Sequence, residues 1–362
     1  MSSEKIITPN IFTHATSELS QDAFLAYLIE WAHPQHATDT TGMHRAGEVF
    51  LRVLLRVTDS PENSALADYP IDEVEVTCQS SRIDVLVRIN FTSGKSVSLV
   101  IEDKIHAEDY NDLDKYVENA GTADFCEGSE IRGVFLRTGS QAFHTKAEES
   151  GFGLFTRANF SHYFQLVKDA RIEVTDTVFN NWRTKFEEEQ AELDAYQNTP
   201  LVDWEAAAYI GYYQHLIRTW KDEAKGTSKV GGWRLVNPDG GDSFLGLWTQ
   251  VFPLAAAPDY NLFALVQPGA ISIRTGGYPI GKENRELRAR YRNGLFAYLK
   301  EQGILAELNL KKELKFGSGE SMELCRVSFS DSTAGLHRHE YLSQKLNAVY
   351  EALEAVGQGF VL

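Results

Sequence analysis

Two apolar segments joined by a short turn constrain the fold of this chain more than any other part of it. Residues 82–89 (RIDVLVRI) and 96–105 (SVSLVIEDKI) are both predicted to be strands. The turn at residues 92–94 ends in a glycine and suits a type I turn followed by a left-handed residue. This turn sets an antiparallel register with Asp84 opposite Glu102, because a slip of one residue would bury the charges and expose the valines.

The order of predicted elements around this hairpin is typical of an α/β domain. Ser20 has the residue type of an N-cap, and Phe24 and Leu28 begin the apolar stripe of the helix that follows it. The predicted elements are a helix over 20–32, a helix over 46–57, strands over 73–78, 82–89 and 96–105, a helix over 107–119 and a strand over 132–136. The order helix–strand–strand–strand–helix–strand predicts a mixed sheet with helices on both faces.

The second half of the chain is predicted to be a separate α+β region. Residues 160–196 look helical and charged, and the sequence NTP at 198–200 breaks that pattern. An aromatic-rich helix, short strands and further helices follow. We therefore predict a first domain over residues 1–197 and an accessory domain over residues 198–362 that binds substrate or a partner.

The charge of the chain limits the partners it can take. A formal net charge of −16 over 362 residues repels nucleic acid at long range. Cationic residues are concentrated at 281–292 (GKENRELRARYR), which is typical of a phosphate-binding face or of a solvated helix. The basic residues there are Lys282, Arg285, Arg288, Arg290 and Arg292, and a second cluster is Lys311, Lys312 and Lys315.

Cysteine use and hydropathy predict a soluble, cytoplasmic protein. Cys78, Cys126 and Cys325 lie far apart and form no CxxC pattern, which argues against disulfides and structural zinc. No apolar stretch approaches the roughly 18 residues of a membrane span, and the N-terminus lacks the apolar core of a leader. We therefore expect no membrane partner.

Three charged side chains are predicted to meet at the open end of the hairpin. Because side chains alternate along a strand, Glu102 and Lys104 share one face, and Asp103 projects from the other. The carboxylates of Asp84 and Glu102 are suitable ligands for Mg²⁺ or Mn²⁺, and the backbone carbonyl of Asp103 is a further candidate. Lys104 is then placed to position a water or to stabilise charge developing on a phosphate. These residue types are those that metal-assisted phosphodiester hydrolysis requires.

A simpler interpretation is that these charges only keep one strand face soluble. Opposite charges paired across an antiparallel hairpin even stabilise it slightly. Against this, the charged residues 102–104 interrupt a run that is otherwise apolar, from Leu99 to Ile105.

The motif of Asp84 followed by Glu102-x-Lys104 after a hairpin resembles that of the PD-(D/E)XK nuclease superfamily. RIDVLV and VIEDKI match its two core motifs, and residues 10–32 are similar to the N-terminal segment of a bacterial subgroup. The resemblance implies a restriction-endonuclease-like core and a nuclease that depends on Mg²⁺ or Mn²⁺, with DNA favoured as its substrate. It also implies that Asp84 and Glu102 are metal ligands and that Lys104 is the catalytic lysine.

The resemblance leaves two features of such a site open. An acidic residue on a preceding helix often completes it, for which Glu48 is the first choice and Glu18 the second. The family often carries glutamines in the helix after the motif (Q-x-x-Q-L-x-x-Y), whereas this chain keeps only Leu113 and Tyr116 of that pattern. Lys115 and Tyr116, with the basic segment 281–292, are the candidate contacts to nucleic acid.

Two other functions remain as alternatives. The net acidity and the missing glutamines favour a catalytically silent module of the same fold, which would bind nucleic acid or a protein partner. The second alternative is an ATPase that binds phosphate through residues 276–282 (GGYPIGK), which fit the G-x-x-x-x-G-K pattern of a phosphate-binding loop. Against it, Glu283 stands where Ser or Thr should hold Mg²⁺. A homo-oligomer, or a regulatory partner at the accessory domain, is compatible with each of these functions.

Overall fold

The computed structural model of the chain forms two compact units, Met1–Glu189 and Gln190–Leu362. The division falls inside a helix, upstream of the boundary predicted at residue 198. The structure describes residues 10–15, 17–59, 66–80, 82–105, 113–140, 147, 149–222, 226–236, 243–254, 257–276, 293–294, 296–303, 306, 311–312, 322–329 and 338–359.

The first unit is a mixed sheet flanked by helices, which confirms the predicted fold class. Its elements are α1 (Glu18–Glu30), α2 (Met43–Val57), β1 (Ile71–Ser80), β2 (Ile83–Phe91), β3 (Ser96–Lys104), α3 (Leu113–Gly121), β4 (Glu130–Arg137), β5 (Gly153–Thr156), α4 (Arg157–Asp169) and α5 (Thr177–Asp194). The strand order is β1-β2-β3-β4-β5, with antiparallel pairing from β1 to β3 and parallel pairing from β3 to β5. The four-residue strand β5 is absent from the predicted order.

The β2–β3 hairpin has the register that its turn predicts. The ladder runs from Asn90 opposite Ser96 to Val85 opposite Ile101, and Gly94 adopts a φ of 79°. Asp84 and Glu102 are the next positions beyond the last paired residues. The turn chemistry therefore predicts where these two carboxylates lie along the sheet.

Both faces of the sheet are covered, and this rules out a wetted strand face at the charged residues. Val85, Val87 and Ile89 pack in a core that α1, α2, α4 and α5 share, while Leu86 and Val100 pack on the α3 side. Glu102 is only 2% exposed and Asp103 is fully buried. Solubility does not explain charges in these positions, because buried charges cost free energy unless they are paired.

Helix α1 begins one turn earlier than predicted. Its N-cap is Ser17, whose hydroxyl accepts a hydrogen bond from the backbone N–H of Ser20 at 3.3 Å. Ser20, the predicted cap, therefore lies within the first turn. Because the helix starts earlier, Glu18 is its first residue, and the Glu18 side chain lies at the end of β3, beside Lys104.

A close crossing at Gly47 fixes α2 against α1. A Cβ at this position would lie 2.6 Å from the carbonyl oxygen of Leu28 and 2.8 Å from the backbone nitrogen of Ala32. Both contacts are with backbone atoms, so the only relief is to move the helices apart.

We expect Gly47→Ala to destabilise the protein by about 1–3 kcal/mol, because the added methyl group overpacks this crossing. Gly121→Ala is the matched control, since a Cβ there meets only Ile131 Cδ1, at 3.7 Å. Thermal unfolding of the two variants checks the prediction. Equal melting temperatures for both would contradict it.

The second unit is a largely antiparallel sheet with a core of its own. Its elements are α6 (Ala206–Thr219), β6 (Val230–Val236), β7 (Phe244–Thr249), β8 (Phe252–Leu254), β9 (Ala257–Gln267), β10 (Ala270–Gly276), β11 (Lys311–Lys312), β12 (Met322–Ser328) and α7 (His339–Gly359). The strand order is β11-β12-β10-β9-β7-β6, and β8 pairs with β9. Apolar residues of α6 and α7 pack against alternate residues of β9 and β10. An α+β arrangement for the second half is therefore confirmed.

Several predicted features lie outside the described residues. They include the basic segment with Lys282, Arg285, Arg288 and Arg292, and the loop at 276–282 beyond Gly276. Within the described part of the chain, no helix has the length and hydropathy to cross a membrane.

Candidate active site

The ammonium of Lys104 is the centre of a cluster of oxygen atoms at the end of β3. Its Nζ lies 2.8 Å from Glu102 Oε1, 3.4 Å from Asp84 Oδ2 and 3.8 Å from Glu18 Oε2. It also donates to the backbone carbonyl of Asp103 at 2.7 Å. Burial acts to lower the pKa of Lys104, but the hydrogen bond and charge of Glu102, with the charges of Asp84 and Glu18, raise it above its ordinary value. The side chain is therefore a fixed positive charge.

Asp84 is held where the β2–β3 ladder ends. Its Oδ2 accepts a hydrogen bond from the backbone N–H of Asp103 at 2.9 Å, and Gln79 Nε2 lies 3.4 Å from its Oδ1. The side-chain carboxylate of Asp84 thus accepts the backbone N–H of Asp103 just beyond the last pair of the β2–β3 ladder, and this hydrogen bond fixes the carboxylate relative to β3. The turn predicts Asp84 beside Glu102, and the structure brings both carboxylates to the same ammonium.

Glu102 lies on the face of the sheet that α3 covers. The hydroxyl of Tyr116 on α3 donates to Glu102 Oε1 at 3.5 Å. Burial and the charge of Glu102 raise the pKa of Tyr116, so this hydroxyl remains a donor. Lys115, its neighbour on α3, is exposed to solvent.

Of the two acidic residues that the sequence offers to complete the site, Glu48 first and Glu18 second, the structure brings Glu18 to Lys104 and pairs Glu48 with residues of its own helix. Glu18 Oε1 accepts from the backbone N–H of Ile105 at 3.3 Å, while its other oxygen faces Lys104. Glu48 instead pairs on its own helix with His44 at 3.9 Å and Arg52 at 3.6 Å. The reason is helix packing, since α1 lies across β1, β2 and β3 whereas α2 packs mainly on α1 and α4.

Beneath the cluster, a pair of buried carboxyl groups connects β3 to α1. Burial, followed by the charge of Asp84, raises the pKa of Asp22 to about 6. Burial and the charge of Asp22 raise the pKa of Asp103 well above its ordinary value. The charge of Asp22 therefore favours a proton on the Asp103 carboxyl. Gln21 donates to Asp103 Oδ1 at 2.5 Å and accepts from Thr138 at 2.8 Å.

Gln21 and Asp22 were missed in the sequence, although a signal was present. Both lie one turn before Phe24 and Leu25 on the buried side of α1, where polar residues are uncommon without partners. Arg137 was missed as well. It is 2% exposed at the end of β4, where it lies beside Lys104 in the parallel register.

The oxygens that would hold a metal ion converge on the ammonium instead. Asp84, Glu102 and the Asp103 carbonyl all lie within 3.4 Å of Lys104 Nζ. Among the residues described, no three acidic, histidine or cysteine side chains are arranged to hold a metal ion. The donor set nevertheless fits Mg²⁺ or Mn²⁺ chemically, because hard oxygen atoms already surround one positive charge. Lys104 must move away from the carbonyl of Asp103 for a metal to share these oxygens.

This fold and this cluster define a class of protein, the proteins with a restriction-endonuclease-like core. A family model of the PD-(D/E)XK nuclease superfamily matches residues 9–229, more than half of the chain. The chain belongs to that superfamily. No curated protein and no solved structure matches it significantly.

Proposed function

We propose that this protein is a divalent-metal-dependent nuclease that hydrolyses phosphodiester bonds, with DNA as the favoured substrate. The convergence of Asp84, Glu102 and the Asp103 carbonyl on Lys104 carries the proposal. Burial supports it further, because Glu102 is 2% exposed beside Lys104, and burying such an ion pair has a cost in stability that a chemical role explains.

Each residue of the cluster has a distinct role in this proposal. Asp84 and Glu102, with the carbonyl of Asp103, hold Mg²⁺ or Mn²⁺. When bound, the ion lowers the pKa of water and withdraws charge from the phosphate. Lys104 keeps its proton and either orients the attacking water or stabilises the charge that develops on the phosphate. Glu18 positions Lys104, and Tyr116 orients Glu102 through its hydroxyl.

The proposed setting is the cytoplasm of a bacterial cell. Cys78, Cys126 and Cys325 are free thiols, as expected of a reducing compartment. The bacterial origin rests on the resemblance of residues 10–32. Lys115 on α3 and the basic segment 281–292 remain the proposed contacts to the nucleic-acid backbone.

The test is to incubate the pure protein with supercoiled plasmid, linear duplex, single-stranded DNA and RNA, each in Mg²⁺, Mn²⁺ or EDTA. Asp84→Asn serves as the inactive control, since it removes one carboxylate and keeps the shape of the side chain. Cleavage that requires metal and Asp84 supports the nuclease and identifies its substrate. Binding of nucleic acid without cleavage of any substrate would instead favour the catalytically silent module.

We expect Glu18→Gln to lower the rate of metal-dependent cleavage by about 10–100-fold, the usual effect of losing a residue that orients a site from behind. The substitution removes the negative charge that Glu18 of α1 places 3.8 Å from the Lys104 ammonium. Glu48→Gln is the matched control, because its ion pairs are with His44 and Arg52. Single-turnover cleavage rates of both variants check this, and a larger loss for Glu48→Gln would contradict it.

A further inference from the structure

A groove runs along the sheet of the second unit. Its volume is about 630 Å³. Strand alternation explains its composition, because Leu262, Ala264 and Val266 of β9 point into the core while Phe263 lines the groove. The side chains at this surface are therefore not required for the core of the unit.

Half-buried aromatic rings form part of the wall of this groove. They belong to Phe244, Trp248 and Phe263. The indole of Trp248 packs on Gly232 so closely that a Cβ there would lie 2.6 Å from its Cζ2. The guanidinium of Arg234 lies over the same indole, 5.6 Å from the ring centre. Trp248 is thus packed against the backbone at Gly232 and has the exposed cation of Arg234 over its ring.

The charge of the groove is opposite to that of the whole chain. Its described lining contains three arginines, Arg234, Arg274 and Arg326, and a single acidic residue, Glu323. Glu323 pairs with Arg326 at 2.9 Å and with Arg274 at 3.7 Å, so it holds two guanidinium groups in the groove. An excess of cations on a chain with a net charge of −16 indicates an anionic ligand.

We propose that this groove binds single-stranded nucleic acid. Aromatic rings stack with bases, and arginine forks bind phosphates, so a wall that interleaves the two suits a strand whose bases are unpaired. Bases within a duplex are stacked on each other and do not reach such rings. This proposal rests on the proposed nuclease function for its biological sense, but binding can be measured without cleavage.

The experiment measures fluorescence anisotropy of labelled oligonucleotides with the full chain in EDTA. The probes are oligothymidylate and oligouridylate of about 20 nucleotides, longer than the roughly 4–16 nucleotides that a single oligonucleotide-binding β-domain covers, and a duplex of the same length. The variants are Arg234→Glu and Trp248→Leu. Arg338→Glu is the matched control, because it makes the same charge change in the same unit at an exposed position outside the groove lining.

We expect Arg234→Glu and Trp248→Leu each to weaken binding of the single strands by about tenfold or more. Arg338→Glu should bind as the wild type does, and the duplex should bind at least several-fold more weakly. The DNA and RNA probes show which single strand is preferred. Arg234 is exposed, so its variant keeps the test valid if Trp248→Leu does not fold.

Three results would overturn the proposal: no binding of either single strand, equal loss with Arg338→Glu, or groove variants that bind normally. A groove variant that dissociates an oligomer in size-exclusion chromatography would overturn it as well, in favour of contact between copies. If the groove variants lose binding and the wild type cleaves no substrate, the groove proposal is supported and the nuclease proposal is contradicted. If the groove variants bind normally and cleavage depends on Asp84, the nuclease proposal is supported and the groove proposal is contradicted.

Discussion

Substituting Lys104 by methionine should lower metal-dependent cleavage by about 10²–10³-fold and at the same time strengthen the binding of Mn²⁺ in the absence of nucleic acid. The first effect follows from the loss of the ammonium that, in its proposed role, acts on the water or the phosphate. The second follows from geometry, because Lys104 Nζ contacts Glu102 at 2.8 Å and the Asp103 carbonyl at 2.7 Å, the same oxygens that a metal would use. Methionine keeps the apolar stem and removes this competitor.

The variant should also be less stable in EDTA than the wild type, by about 3 kcal/mol, since the buried Glu102 loses its ion pair with Lys104. Added Mn²⁺ should restore part of that stability. Calorimetric titration with Mn²⁺, single-turnover cleavage and thermal unfolding measure the three effects. Lys168→Met is the matched control, because Lys168 is exposed on α4. A Lys104→Met protein that cleaves normally, or that binds Mn²⁺ more weakly, would refute the assignment.

Asp22→Asn should stabilise the metal-free protein at pH 8 by about 2 kcal/mol, or roughly 4–8 °C in Tm, and have little effect near pH 4.5. Burial and the charge of Asp84 raise the pKa of Asp22 to about 6, above its ordinary value. The folded state therefore binds a proton more strongly than the unfolded state. Stability is lost as the pH rises from about 4 to about 6, and the loss stays constant above that range.

The Asp22→Asn protein does not lose this stability as the pH rises, because its amide carries no charge and can donate to Asp103. Asp39→Asn is a control of opposite sign. Burial acts to raise the pKa of Asp39, but hydrogen bonds from Thr41, His44 and Met43 lower it overall. Its substitution should therefore destabilise the protein at pH 8. Thermal unfolding in EDTA across this pH range measures both, and an Asp22→Asn gain that is equal at pH 4.5 and pH 8 would contradict the assignment.

The parts of the site that local chemistry determines could be predicted from the sequence. A glycine turn set the register of the hairpin, and the register placed Asp84 beside Glu102. The choice between Glu18 and Glu48 could not be made in this way, because it depends on which helix crosses the strand ends. Such helix packing depends on contacts between different elements, such as the close approach of α2 to α1 at Gly47, which no local pattern in the sequence indicates.

Two other features could not be predicted from local sequence patterns, because they depend on how the strands pair. Strand β5 has only four residues, Gly153–Thr156, and is stabilised by pairing with β4 rather than by its own sequence. The groove of the second unit combines Arg234 and Trp248, from the neighbouring strands β6 and β7, with Arg326 from β12, which β9 and β10 separate from β7 in the sheet. Such a surface exists only after the strands have paired.

The position of the Lys104 ammonium has a consequence for how the protein would survive a shortage of metal. With its own cation among Asp84, Glu102 and Glu18, the chain offsets part of the negative charge of these acids before any ion binds. Chelation would then stop catalysis without opening the core to proteases. The amount of protein and its activity would respond to metal supply independently, and a starved cell would keep a reserve of folded enzyme that regains activity as soon as ions return.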